Sequence, residues 1–182
     1  ETPVDVFQCP SDAVAGAEPL ASSYRGVQGG YQSPDGYDCG TAERRFYVNG
    51  ALYVNSKIGF RDLVDGSSNT LLIGESHYST TRVNSSNGAY VGWASSPNVN
   101  NGSRHAINLA AADNGINSAP VDPLVDDPRN YQSHTFGSFH PGGCQFVMAD
   151  GSVHFIGETV DITMFRGLGI RNDGLPVGGF QE

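Results

Sequence analysis

HTFGSFHPGGCQFVMADGSVHFIG, residues 134–157, is the stretch whose reading decides the fold. Strand side chains repeat every two residues, so Cys144, Phe146 and Met148 share one face, while Gln145, Val147 and Ala149 share the other. Asp150-Gly151 between two alternating runs signals a hairpin, because a two-residue type I′ turn needs positive φ at both central positions. That loop fixes a register in which Ala149 faces Ser152, Met148 faces Val153 and Phe146 faces Phe155. The expected core face therefore carries Met148, Val153, Phe146 and Phe155, with Val147, His154 and Gln145 opposite. Pro141-Gly142-Gly143 reads as a second turn, which predicts a three-stranded meander.

Outward from this hairpin the signals weaken. Residues 1–45 are rich in Gly, Pro, Ser and Asp and show no sustained period, so they read as irregular, with Tyr24, Tyr31 and Tyr37 either packing on the sheet or forming an aromatic platform. Asn49-Gly50 between RFYV and ALYV predicts another hairpin, with Val48 facing Ala51 and Phe46 facing Tyr53. A single helical turn over 60–64 is stopped by Gly66 and leads into a strand over 71–76. Residues 89–94 (AYVGWA) read as a strand carrying Trp93, the Ala-rich 106–112 as a short helix, and the Pro- and Asp-rich 120–128 as an extended loop. Asp161 caps a helix over 162–168, with Gly169 past its end.

A chain of 182 residues reads as one domain, 1–182, long enough to bury a sizeable core. Its 24 glycines and ten prolines call for many turns and little helix. A formal charge of −9 with ten Lys and Arg argues against nucleic acid and against anionic membrane surfaces. The apolar runs are a few residues long, so no transmembrane run is present.

His140, nine intervening residues and Asp150-Gly151 form one motif; Phe7-Gln8-Cys9-Pro10-Ser11-Asp12, Asp65-Gly66-Ser67-Ser68-Asn69-Thr70 with Glu75, and His140-Pro141-Gly142-Gly143 form three more. Together and in this order they resemble the prepilin-type processing-associated H-x9-D-G proteins, a family of unknown biochemical function. It is abundant in planctomycete bacteria and is sometimes filed among bacterial solute-binding proteins. The resemblance spans residues 7–174. It implies an exported bacterial protein, extracellular or at the cell surface, similar to a type IV pilin or pseudopilin. It further implies a cleaved leader and a long apolar helix upstream of Glu1, so that residues 1–182 are the head and the membrane is met only through that helix. Partners are then other pilin-like subunits, and no reaction is implied.

For the three cysteines two arrangements are open in an exported chain. A Cys9–Cys39 bridge would contribute roughly 3–4 kcal/mol through loop closure; alternatively all three are buried thiols. Cys144 opens a core strand and reads as buried and inert. Asp65, Ser67, Asn69 and Glu75 are oxygen donors that suit calcium, which pseudopilin heads bind as a class, although the spacing is not that of an EF-hand. The competing reading, and the favoured one, is a tight turn whose side chains satisfy its backbone. His134 and His140 lack an obvious third metal ligand. His140 and Asp150 are separated by a strand of six residues, roughly 20 Å at about 3.3 Å each, so the motif is architectural rather than a catalytic pair.

The expected fold class is thus α+β: a mainly antiparallel sheet forming a pilin-like head, with short helices and long loops. The expected role is non-enzymatic, as a subunit or tip of an extracellular filament or secretion pseudopilus. The alternative is a surface module that binds glycans or other solutes through Trp93, Tyr24 and Tyr31.

Overall fold

The computed structural model describes residues 4–12, 22–31, 47–77, 108–118 and 135–174. Five strands and one helix organise them: β1 (Tyr24–Gly30), β2 (Leu71–Glu75), β3 (Leu109–Ala112), β4 (Gly143–Met148), β5 (Val153–Gly157) and α1 (Ile162–Gly169). The strands form a single sheet in the order β3-β1-β2-β4-β5. Neighbours are antiparallel except β1 and β3, which are parallel. The fold is therefore mixed α+β, with one sheet and one α-helix among the described residues.

The alternation in β4 buries Cys144, Phe146 and Met148 completely and leaves Gln145 and Val147 half-buried. The hairpin at Asp150-Gly151 forms, but its loop has three residues instead of two. Gly151 N–H donates to Met148 O at 3.0 Å, Met148 N–H donates to Ser152 O at 2.8 Å, and Gly151 alone takes positive φ, +88°. This is a type I turn closed by a left-handed glycine. Asp150 favours it because its carboxylate accepts from both the N–H and the hydroxyl of Ser152, at 2.9 and 2.6 Å.

The extra residue moves the register by one, so Phe146 faces His154, Gln145 faces Phe155 and Val147 faces Val153. A one-residue slip exchanges the faces of a strand. Val153 and Phe155, expected in the core, are 61% and 44% exposed, and Ile156 is buried in their place.

Three further expectations are corrected. The second neighbour of β4 is β2, not the segment before Pro141, so the described residues form no meander there; among them, that segment meets the sheet at the bridge of Gly137 to Ser76. The Asn49-Gly50 hairpin does not form, because its backbone groups are committed elsewhere. Gly50 and Leu52 N–H donate to Gln28 O and Val27 O of β1, at 3.0 and 3.1 Å, while Arg171 binds the carbonyls of Val48, Asn49 and Gly50. Lastly, the Ala-rich patch is the strand β3, in which Ala110, Ala111 and Ala112 are fully buried beside β1. Sheet pairing overrides its helical propensity.

β1 was hidden in the residues read as irregular. Glycines interrupt its alternation, leaving Arg25, Val27 and Gln28 as its buried long side chains. The glycine at position 30 serves a close approach: a Cβ there would lie 2.0 Å from the carbonyl oxygen of Arg166 in α1. As expected, α1 is capped by Asp161, which accepts from Thr163 and Met164 N–H at 3.0 and 2.9 Å. Its buried Phe165 meets Phe146 edge-on at 5.6 Å, and Phe146 meets Phe136 at 5.3 Å. Arg166 fastens the helix to the end of β3 through the carboxylate of Asp113 (3.2 Å) and its carbonyl (2.8 Å).

α1 thus covers one face of the sheet. On the other face Ile73, Val147, Val153 and Phe155 remain partly or largely exposed. Trp93, Tyr37, Cys39, His134, Phe46 and the 120–128 loop lie outside the described residues.

Candidate functional site

Strand order builds the site. Glu75 ends β2 and lies opposite Tyr24, the first residue of β1. On its other side β4 supplies the N–H of Gln145, which donates to Glu75 Oε2 at 2.7 Å. The carboxylate is held there almost without solvent contact, at 3% exposure.

His140 arrives from the turn that precedes β4. Its N–H donates to Ser138 Oγ at 3.0 Å, and Ser138 Oγ donates to Gly143 O at 2.6 Å, which fixes the turn. The imidazole Nε2 then stands 3.3 Å from Glu75 Oε1. Cys9 comes from the far end of the sequence, after a single 3-10 turn over Asp5–Phe7. It opens the Cys9-Pro10-Ser11-Asp12 turn, in which Asp12 N–H donates to Cys9 O at 2.9 Å. Ser23 secures that turn, donating its N–H to Phe7 O (2.8 Å) and its hydroxyl to Asp12 (3.0 Å). The Cys9 sulfur lies 3.4 Å from the same Nε2 of His140.

Burial pushes the Cys9 thiol up, and the nearby Glu75 carboxylate pushes it further, against backbone N–H groups of Ser11 and Asp12 that favour the thiolate. Burial raises the Tyr24 phenol as well; its hydroxyl also reaches the Cys9 sulfur. A nucleophilic cysteine needs a depressed pKa, and a nucleophile–base–orienter chain uses both imidazole nitrogens. Here thiol and carboxylate address one nitrogen, so the cluster is not an acyl-transfer triad. It is a set of three atoms of metal-ligating type, all within 4.8 Å of one another.

The cluster lines an open cleft of ≈ 560 Å³ over the sheet face opposite α1, together with Tyr24, Ile73, Gln145, Val147 and Val153. That volume is in the range of small-molecule sites.

The residues singled out in the sequence are distributed differently from expectation. Asp65, Ser67, Asn69 and Glu75 do not converge as a calcium site. Asp65 accepts from Asp173 and Gly174 N–H at 2.8 and 2.9 Å, and Asn69 donates to Asp65 O at 3.0 Å. Their loop precedes β2, whereas Glu75 is the last residue of that strand and joins His140. Cys9 is a free, buried thiol and not half of a disulfide; Cys39 lies outside the described residues. Cys144 is also free and buried, its thiol pushed far up by burial.

His140, Pro141, Gly142 and Gly143 form the turn into β4, and Asp150-Gly151 the turn out of it, so His140 and Asp150 stand at opposite ends of that strand. The Asp150 carboxyl is held below its ordinary range by the Ser152 hydroxyl and N–H. Tyr24 lines the cleft, but Tyr31 follows the other end of β1 and lies under the Arg166 guanidinium at 4.6 Å, so the two tyrosines make no common platform.

Cys9 was the missed member. The signal that joins it to Glu75 and His140 is that each stands in one of three short motifs, widely spaced in the sequence, that carry the resemblance described above. No curated protein and no solved structure matches the chain. A family described as a protein of unknown function (DUF1559) matches residues 1–163, which hold Cys9, Glu75, His140 and all five strands. The chain belongs to the DUF1559 family.

Proposed function

We propose that the chain is the head of a pilin-like structural subunit, part of an extracellular filament or secretion pseudopilus, to which an apolar helix upstream of Glu1 attaches it. The observation that supports this reading is the two-sidedness of the sheet. α1 covers one face, while Ile73, Val147, Val153 and Phe155 leave an apolar strip on the other. An apolar helix of about 20 residues laid along that strip would gain roughly 25 cal/mol per Å² of apolar surface removed from water. No helix among the described residues is long and apolar enough to cross a membrane, so the attachment depends on that additional segment. A formal charge of −9 keeps the head hydrated and neighbouring heads apart.

The test is to express the complete gene product with everything encoded upstream, beside residues 1–182 alone. The complete protein should be held in the membrane or sediment as filaments, and the head should be monomeric by light scattering. Val153→Asp with Phe155→Asp should abolish assembly and leave the circular dichroism of the head unchanged. A complete protein that lacks an apolar helix, or remains monomeric in solution, removes this reading.

A second reading, a surface module that binds a small solute or glycan, is favoured by the cleft of ≈ 560 Å³. Saturation-transfer NMR against a panel of mono- and oligosaccharides tests it, with difference signals expected on the protons of a bound sugar and lost in Tyr24→Ala. Silence across the panel excludes the glycan form of this reading.

A further inference from the structure

We infer that Cys9, Glu75 and His140 form a binding site for one divalent transition-metal ion of the zinc class, with a fourth coordination position open to the cleft. The inference does not depend on the pilin-like reading; it stands on donor chemistry, distances and support.

Thiolate, imidazole and carboxylate together suit zinc and its neighbours, whereas calcium and magnesium take oxygen. For a tetrahedral zinc ion, bond lengths of about 2.3 Å to sulfur and about 2.0–2.1 Å to nitrogen and oxygen imply ligand–ligand separations of roughly 3.5 Å for S···N and roughly 3.3 Å for N···O. The separations here are 3.4 Å between Cys9 Sγ and His140 Nε2, and 3.3 Å between His140 Nε2 and Glu75 Oε1. These match two of the three edges of one face of such a tetrahedron, and the third pair, Cys9 Sγ and Glu75 Oε1, lies within 4.8 Å.

Hydrogen bonds can also join these atoms, since the Cys9 thiol carries a proton that the Glu75 carboxylate can accept and Nε2 carries at most one more. A cation replaces those protons and accepts one lone pair from each of the three atoms.

The supporting contacts are those expected around ligands, which are usually held by a further layer of hydrogen bonds. Gln145 N–H occupies Glu75 Oε2 and leaves Oε1 to the ion. Cys9 and Glu75 are buried, while the His140 side chain is 30% exposed and borders the cleft, which sets the open position on that side. The ion would join the N-terminal turn, the end of β2 and the turn before β4, three segments that no disulfide links among the described residues. Water or a carboxylate entering the cleft would complete its coordination.

Cobalt(II) reports on such a site directly. Chelator-treated chain of residues 1–182 is titrated with CoCl₂ and then with ZnCl₂. The expected result is one cobalt per chain, a near-ultraviolet thiolate-to-cobalt absorption with visible bands of tetrahedral intensity, and their loss as zinc displaces cobalt. Cys9→Ser should abolish the near-ultraviolet band. His140→Gln and Glu75→Gln should each weaken binding at least about tenfold, and Cys144→Ser should leave the spectrum unchanged. Zinc should also raise the Tm of the wild-type chain and not that of His140→Gln. A folded wild-type chain that takes up no cobalt, or shows no thiolate band, overturns the site, as does a band that persists in Cys9→Ser. Should Cys9→Ser fail to fold by near-ultraviolet dichroism, the wild-type spectrum and the His140→Gln titration decide alone.

Discussion

Glu75 Oε1 lies 3.3 Å from Nε2 of His140, while the other oxygen of the same carboxylate accepts the Gln145 N–H at 2.7 Å. One buried side chain thus ties the turn before β4 to the edge of β2 and to β4 itself. Glu75→Ala leaves a backbone donor without its acceptor, a loss of about 1–3 kcal/mol. Glu75→Gln keeps an amide oxygen for Gln145 and should lose less. Urea unfolding of the two variants checks this ordering. Equal losses would locate the stabilisation in the charge and not in the acceptor.

The register of the β4–β5 hairpin makes opposite forecasts for two phenylalanines. Phe146 has no exposed surface and contacts Phe136 and Phe165 edge-on, so Phe146→Ala should cost about 3–5 kcal/mol. Phe155 lies on the uncovered face at 44% exposure, and Phe155→Ala should cost less than about 1 kcal/mol in the isolated head. Denaturant midpoints distinguish them. A large loss at Phe155 would restore the two-residue loop, in which both rings share the core.

What was legible in the sequence followed from local chemistry. The faces of β4 and the cap at Asp161 each follow from side-chain period or a capping oxygen within one element. What was not legible depended on distant partners. β1 has too many glycines to show alternation, and is a strand because β2 and β3 pair with it. Ala110–Ala112 have helical propensity, yet parallel pairing with β1 decides their state. Asn49-Gly50 is a strong hairpin signal, defeated because Arg171 and β1 take its backbone groups. The site follows the same rule. Its three ligand atoms meet only because β2 lies between β1 and β4, an order that no local pattern encodes.

Gly151 is the one residue of the three-residue loop with positive φ, +88°, and a Cβ built there would meet nothing within 4 Å. The cost of a side chain is therefore purely one of backbone conformation. Gly151→Ala should lose about 1–2 kcal/mol, and Gly151→Asn should lose less, since Asn tolerates the left-handed region. Thermal unfolding of the pair measures it. A neutral Gly151→Ala would contradict the left-handed closure of the turn.

His77 supplies the pH dependence. It is 4% exposed, with its ring 5.0 Å from that of Phe139, and burial pushes its pKa below the ordinary value of 6.5. The Ser138 backbone and the charge of Asp12 pull it partway back. Because the folded pKa is the lower one, the unfolded chain takes up the proton first as pH falls. The unfolded state then binds more protons, so stability rises with pH across this window. The contribution of His77 is fully present above about pH 6.5 and declines as pH drops from there toward the folded value. His77→Gln removes this group and leaves the other four histidines in place. The difference in unfolding free energy between wild type and His77→Gln should therefore be constant above about pH 7.5 and shift against the wild type below pH 6.5. Urea denaturation at half-unit steps from pH 8 to pH 5 tests the sign. A difference that moves the other way would mean that His77 is charged in the folded protein and held by Asp12.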